Sequence, residues 1–220
     1  TYNFGTVVIG GQGNHPFLIT NTGGVSATVI SEVGLGAPYG FNGGSFPGTG
    51  GTCGTTINAG DSCFIDIRFV PIGVGAVGDT MDLSFNNGVT VTNSTRAVTG
   101  TGANPASLSI NLGPTHNFGN VTIGNAPTQS FIVTNGGGVT ATGMGPDGVL
   151  AAPYSFAGGS YPGGGTCGAT LGAGLTCTII VEFAPGASAT FNDTIGITYN
   201  TGLAVTTATR PVTGVGRTPA

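Results

Sequence analysis

Apolar and polar residues alternate in short runs along the chain. Cys63, Ile65, Ile67 and Phe69 fall on one parity while Asp66 and Arg68 fall on the other, and the alternation returns as Cys177, Ile179, Val181 and Phe183 against Glu182. A period of two marks a strand with one buried face. Met81, Leu83 and Phe85 precede Asn86, Asn87 and Gly88, just as Ile195, Ile197 and Tyr199 precede Asn200, Thr201 and Gly202. Both stretches predict a strand that runs into a hairpin turn.

Composition narrows the class to all-β. Of 220 residues, 44 are Gly, and each Gly inside a helix costs about 1 kcal/mol. Gly shows no three-residue period, which excludes collagen, and 39% hydrophobic content argues for a folded chain. There is no Lys; the only cations are Arg68, Arg96, Arg210 and Arg217, and the net charge is −4. Without a basic stripe there is no nucleic-acid partner. Without Lys there is no P-loop, Schiff base or Lys–Asn isopeptide link. No apolar run approaches the ~18 residues of a membrane span, and no basic-then-apolar start resembles a signal peptide. The sequence reads as mature or excerpted.

The chain repeats itself. Asn3, Phe4 and Gly5 recur as Asn117, Phe118 and Gly119, Cys53 and Cys63 as Cys167 and Cys177, Phe69 and Pro71 as Phe183 and Pro185, and Arg96 as Arg210, all at an offset of 114. Ala37, Pro38, Tyr39 and Phe41 match Ala152, Pro153, Tyr154 and Phe156 at 115, so the second copy gains and then loses one residue. A period of this length fits one immunoglobulin-sized sandwich. The expected organisation is two tandem immunoglobulin-like antiparallel β-sandwiches, residues 1–103 and 104–220, of about seven strands each. Long Gly-rich loops are expected near residues 42–52 and 157–166. A short connection through Ala103, Asn104, Pro105 and Ala106 predicts sandwiches lying end to end.

Candidate chemistry is thin. Cys53 with Cys63, and Cys167 with Cys177, admit a disulfide in each copy, a zinc site or buried thiols. The even, repeated count favours disulfides in an oxidising compartment, and ten-residue spacing is not that of a zinc knuckle. His15 and His116 do not correspond between copies, and neither is expected to act as a general base. The acids Asp61, Asp66, Asp79, Asp82 and Asp193 are scattered, with only Asp79 repeated, as Asp193, so neither metal nor cofactor is expected. Gly163, Gly165 and Gly168 fit Gly-x-Gly-x-x-Gly by chance in so Gly-rich a chain. Asn93, Asn120 and Asn192 head unrepeated glycosylation sequons. Tyr39, Phe41 and Phe46, matched by Tyr154, Phe156 and Tyr161, are candidates for a sugar-binding platform, although their repetition suits core packing better.

Phe4, Gly5 and Val7; Thr20, Asn21 and Gly23; Cys53, Gly60 and Cys63; Phe69 and Pro71; and Val98 to Gly102 form one ordered set of motifs. Phe118, Gly119 and Val121; Thr134, Asn135 and Gly137; Cys167, Gly174 and Cys177; Phe183 and Pro185; and Val212 to Gly216 form the second. Over nearly the whole chain, twice, this resembles the choice-of-anchor D repeat of bacterial surface proteins and is similar to the Hydin-type (ASH) immunoglobulin-like domains. The resemblance implies a secreted or surface-anchored sandwich used in tandem as a spacer or adhesive module, with no catalytic residues to carry over. The Gly-rich loop before each first Cys departs from the family pattern.

Gly102 to Ala106 match Gly216 to Ala220, and Thr1 corresponds to Thr115, so the counterpart of residues 107–114 does not precede Thr1. The first copy is therefore expected to lack a strand, and the groove beside Phe4 to Ile9 to be filled by another segment, from an adjacent repeat or a neighbouring copy in a head-to-tail assembly. Sparse charge permits close lateral packing. The function expected is a non-enzymatic, extracellular or cell-surface structural protein, a fibre, filament or adhesin stalk. The competing expectation is an adhesive module that binds a glycan or host receptor through its Gly-rich loops.

Overall fold

In the computed structural model, which describes residues 1–219, the chain forms two units, Thr1–Asn104 and a second starting at Pro105. Ala220, the last residue of the frame match, lies outside the described residues.

The first unit contains β1 (Tyr2–Val8), β2 (Gly13–Thr20), β3 (Ala27–Glu32), β4 (Tyr39–Phe41), β5 (Thr56–Ile57), β6 (Ser62–Phe69), β7 (Gly75–Asn86) and β8 (Val91–Ala103). One sheet has the order β1-β8-β7-β3-β5 and the other β2-β6-β4. The second unit contains β9 (Leu108–Ile110), β10 (His116–Thr122), β11 (Thr128–Asn135), β12 (Ala141–Pro146), β13 (Tyr154–Phe156), β14 (Thr170–Leu171), β15 (Thr176–Phe183), β16 (Thr190–Asn200) and β17 (Val205–Arg217). Its sheets run β10-β17-β16-β12-β14 and β13-β15-β11-β9. Both units are immunoglobulin-like β-sandwiches: the terminal hairpin, β7–β8 or β16–β17, lies beside β3 or β12 in one sheet, and β2 or β11 pairs with β6 or β15 in the other. The short β5 and β14 raise the count above seven, and β9 has no counterpart in the first unit.

The core follows the alternation. Ile65, Ile67 and Phe69 are fully buried on β6, as are Ile179, Val181 and Phe183 on β15. Tyr39 stacks on Phe69 with ring centroids 4.9 Å apart, and Tyr154 on Phe183 at 4.8 Å. Each Phe ring lies on the backbone of the last strand, where a Cβ on Gly100 or Gly214 would stand 2.6 Å from the ring. The closing Val-Thr-Gly-x-Gly motif is thus a packing requirement. The Asn-Phe-Gly motif makes a bulge: the register of β1 against β8 shifts between Asn3 and Thr6, Gly5 has φ +74°, and its N–H donates to Asn3 Oδ1 at 2.8 Å. Asn117 and Gly119 repeat this in β10.

Candidate functional site

The four cysteines form two disulfides, Cys53–Cys63 and Cys167–Cys177, with no free cysteine. Each bridge is buried and ties the end of a Gly-rich loop to the strand beneath it, since the Cys53 N–H donates to the Phe64 carbonyl at 3.2 Å and that of Cys167 to Thr178 at 3.1 Å.

The Gly-rich loops are strapped to these strands. The Asp66 N–H donates to Pro47 O at 2.8 Å, the Asn42 N–H to Asp66 O at 3.0 Å, and the Ile180 N–H to Pro162 O at 2.9 Å. A Cβ on Gly48 would overlap the Asp66 carbonyl, and one on Gly163 or Gly165 the carbonyls of Ile180 or Thr178. These glycines let backbone meet backbone. The six aromatics make no platform. Tyr39, Tyr154 and Phe156 are core residues, and half-buried Phe41, Phe46 and Tyr161 pack edge-on within the pairs Phe41–Phe46 and Phe156–Tyr161, at 5.6 and 5.5 Å. The surface reading of these rings is thereby corrected to packing.

The remaining candidates anchor loops or lie apart. Asp79 Oδ2 accepts the Gly36 N–H, and Asp193 Oδ2 the Ala151 N–H, both at 2.8 Å, so the one repeated acid fixes a loop. Asp66 and Asp82 accept amide N–H groups from Asn42 and Asn93, and Asp61 from Asn58. His15 stacks on Tyr2 at 3.8 Å; His116 packs edge-on against Phe118 and Phe131, and burial lowers its pKa. Burial, reinforced by the Asp193 charge, pushes Tyr154 up to about 12, and its hydroxyl donates to Phe191 O at 3.0 Å. Asn93, Asn120 and Asn192 are exposed. Among the described residues no three His, Cys, Asp or Glu side chains gather as a metal site would require, and no helix is long and apolar enough to cross a membrane.

An open, partly apolar feature lies along β2 of the first unit. A cavity of about 320 Å³ is lined by Ile19, Ala27, Ile30, Ile57, Leu83 and Phe85. A second, of about 450 Å³, shares Ile19, Leu83 and Ser94 with it and extends to Phe17 and Arg96. Together they form one trough between β2 and the facing β7–β8 hairpin. Its position corrects the expectation of a groove beside Phe4 to Ile9. β1 pairs with β8 just as β10 pairs with β17, whereas β9, the extra strand of the second unit, pairs with β11, the counterpart of β2. The 114-residue offset links Thr134 to Thr20 and so contains this signal, once the partner of residues 108–110 is known.

No protein-family model matches the chain, and no curated protein sequence does. Among solved structures it is similar to a Porphyromonas gingivalis W83 protein of unknown function, at 11% identity over 94% of this chain and 93% of that one, with TM-score 0.38. It is also similar to the titin I-band fragment I67–I69, at 11% identity over 97% of this chain and 62% of that one, with TM-score 0.43. A further similarity is to the Vibrio cholerae VesB protease, at 19% identity over 51% of this chain and 32% of that one, with TM-score 0.38. The chain thus spans less than two thirds of both the titin fragment and the protease.

Proposed function

We propose that this protein is a non-enzymatic structural protein of the cell exterior, whose tandem immunoglobulin-like repeats build a surface fibre, filament or adhesin stalk, with neighbouring repeats or copies joined head to tail through an edge strand. The observation that carries this reading is the repetition of one disulfide-closed sandwich whose acidic and polar motif residues fasten its own loops. Disulfides form and persist in oxidising compartments, which supports an extracellular or surface location. A surface of Thr, Asn, Ser and Gly with 12 charged residues in 220 supports close packing between copies. The motif resemblance to choice-of-anchor D repeats points the same way. Electron microscopy of native material tests the reading: ordered fibres or stalks with a repeat set by the sandwich are expected. Dispersed single particles, or a turnover abolished by one point substitution, would overturn it.

A further inference from the structure

In the second unit the counterpart of the β2 trough is occupied by the segment containing β9. Ala106, Leu108 and Ile110 are buried there, and the backbone pairs antiparallel with β11 at Asn135↔Leu108, Thr134↔Ser109 and Val133↔Ile110. Polar groups hold the segment at both ends. The Ala106 N–H donates to Thr201 O at 2.9 Å, the Gly136 N–H to Ser107 O at 2.8 Å, and the Ser107 N–H to Asn135 Oδ1 at 3.1 Å. Arg210 donates from Nε to Ile110 O at 3.0 Å, from Nη1 to Pro114 O at 2.9 Å, and from Nη2 to Ile110 O.

The first unit keeps this apparatus without the strand. Arg96, at the place of Arg210, is exposed, and among the described residues no carbonyl receives its guanidinium. Asn21 repeats the Asn135 contacts, donating to Val25 O and Ile57 O and accepting the Gly23 N–H, but lacks the bond that Ser107 gives Asn135. Gly137 is required because a Cβ would overlap Pro105 O; Gly23, its counterpart, meets only Asn21 Oδ1, at 3.2 Å. Alternation from Ile132, whose N–H and carbonyl both bond Asn111, turns the matching groups of Leu18 and Thr20 to the open edge. Pro16 offers no N–H there, which ends any added ladder at Leu18.

We infer that the trough along β2 is an acceptor site for one added β-strand, an extended neutral segment with the alternation Ala-Ser-Leu-Ser-Ile-Asn of residues 106–111, supplied by another repeat of this kind. The segment runs antiparallel to β2, sets its Leu and Ile into the floor made by Ile19, Leu83 and Phe85, and gives the carbonyl of its Ile to Arg96. A flat apolar surface or a small ligand would fill the floor and leave the edge groups of Leu18 and Thr20 unpaired, whereas a strand satisfies both. The inference rests on the proposed function only for the source of the strand.

The test titrates a labelled peptide with the sequence of residues 106–113 into the full chain and follows amide exchange. Saturable binding is expected, with slowed exchange at Leu18, Thr20 and Thr22 and none at the matching β11 amides, which are already paired. Arg96→Ala, at an exposed position, should weaken binding about tenfold. A peptide with Asp in place of its Ile should not bind. The inference is overturned if the folded chain binds no peptide or if binding leaves β2 exchange unchanged. Fibres without peptide binding would remove the trough and keep the filament; peptide binding by a protein that never assembles would keep the trough and remove the filament.

Discussion

Ile19 and Val133 hold matching places in the two units, yet the first is half-buried and the second fully enclosed. The contrast runs along the whole trough: Asn21 is half-buried and Asn135 fully buried, Ser94 is exposed and Ala208 buried, Arg96 is exposed and Arg210 half-buried. At the far end the counterpart of Phe85 is Tyr199, whose hydroxyl accepts the Leu108 N–H at 3.0 Å. The floors are alike, with Met81 and Leu83 nearly as buried as Ile195 and Ile197. Among the described residues the same sandwich thus occurs with and without an outer strand. The difference shows that this strand encloses the polar end of the core more than it organises the sheets.

Truncating the strand is the strongest way to erase the contrast. Ile110→Ala should destabilise the second unit by about 2–5 kcal/mol and make its β11 amides exchange like those of β2, as read by calorimetry and hydrogen exchange. Removing a disulfide acts on both units alike. Replacing both Cys53 and Cys63, or both Cys167 and Cys177, by Ala should cost about 3 kcal/mol in the unit concerned, because each bridge closes a loop of the same sequence separation, 10. Unequal losses would show that the open edge changes the unfolded or native state of the first unit.

The buried Asn sharpens the comparison further. Asn135→Ala leaves the carbonyls of Val139 and Leu171 and the N–H groups of Ser107 and Gly137 without their partner, and should cost about 2 kcal/mol. Asn21→Ala breaks fewer and more solvated bonds and should cost about 1 kcal/mol in chemical denaturation. Alkaline pH gives the smallest effect. The folded state raises the Tyr154 pKa from its ordinary value to about 12, so the unfolded chain loses that proton first. Its contribution is fully present below about pH 10 and is lost as pH rises toward 12. Tyr154→Phe should flatten this alkaline decline in a pH series of melting curves, at a cost of about 1 kcal/mol at neutral pH for the bond to Phe191.

What could be read from the sequence was local. Alternation in Cys63 to Phe69 and Cys177 to Phe183 marks buried strands because side-chain direction follows residue parity, and Asn, Thr and Gly after Phe85 and Tyr199 supply the turns. What escaped depends on partners distant in the chain. β5 and β14 are two residues long and exist through their pairing with β3 and β12. Tyr39 and Tyr154 alternate identically whether they face a ligand or the Phe69 and Phe183 rings. Sequence alone places the open groove beside β1, because the parallel pairing of β1 with β8 leaves no mark in either strand. The glycines at 48, 163 and 165 read only as parts of long Gly-rich loops, because the carbonyls they lie against belong to another strand.

The parallel pairing of β1 with β8, and of β10 with β17, also sets how each unit responds to tension applied between its ends. In a parallel pair, tension between the start of one strand and the end of the other acts along the strands and across the hydrogen bonds joining them. Tyr2↔Val98, Asn3↔Thr99, Thr6↔Thr101, Val7↔Gly102 and Val8↔Ala103 then resist as a group in shear instead of opening one after another like a zip.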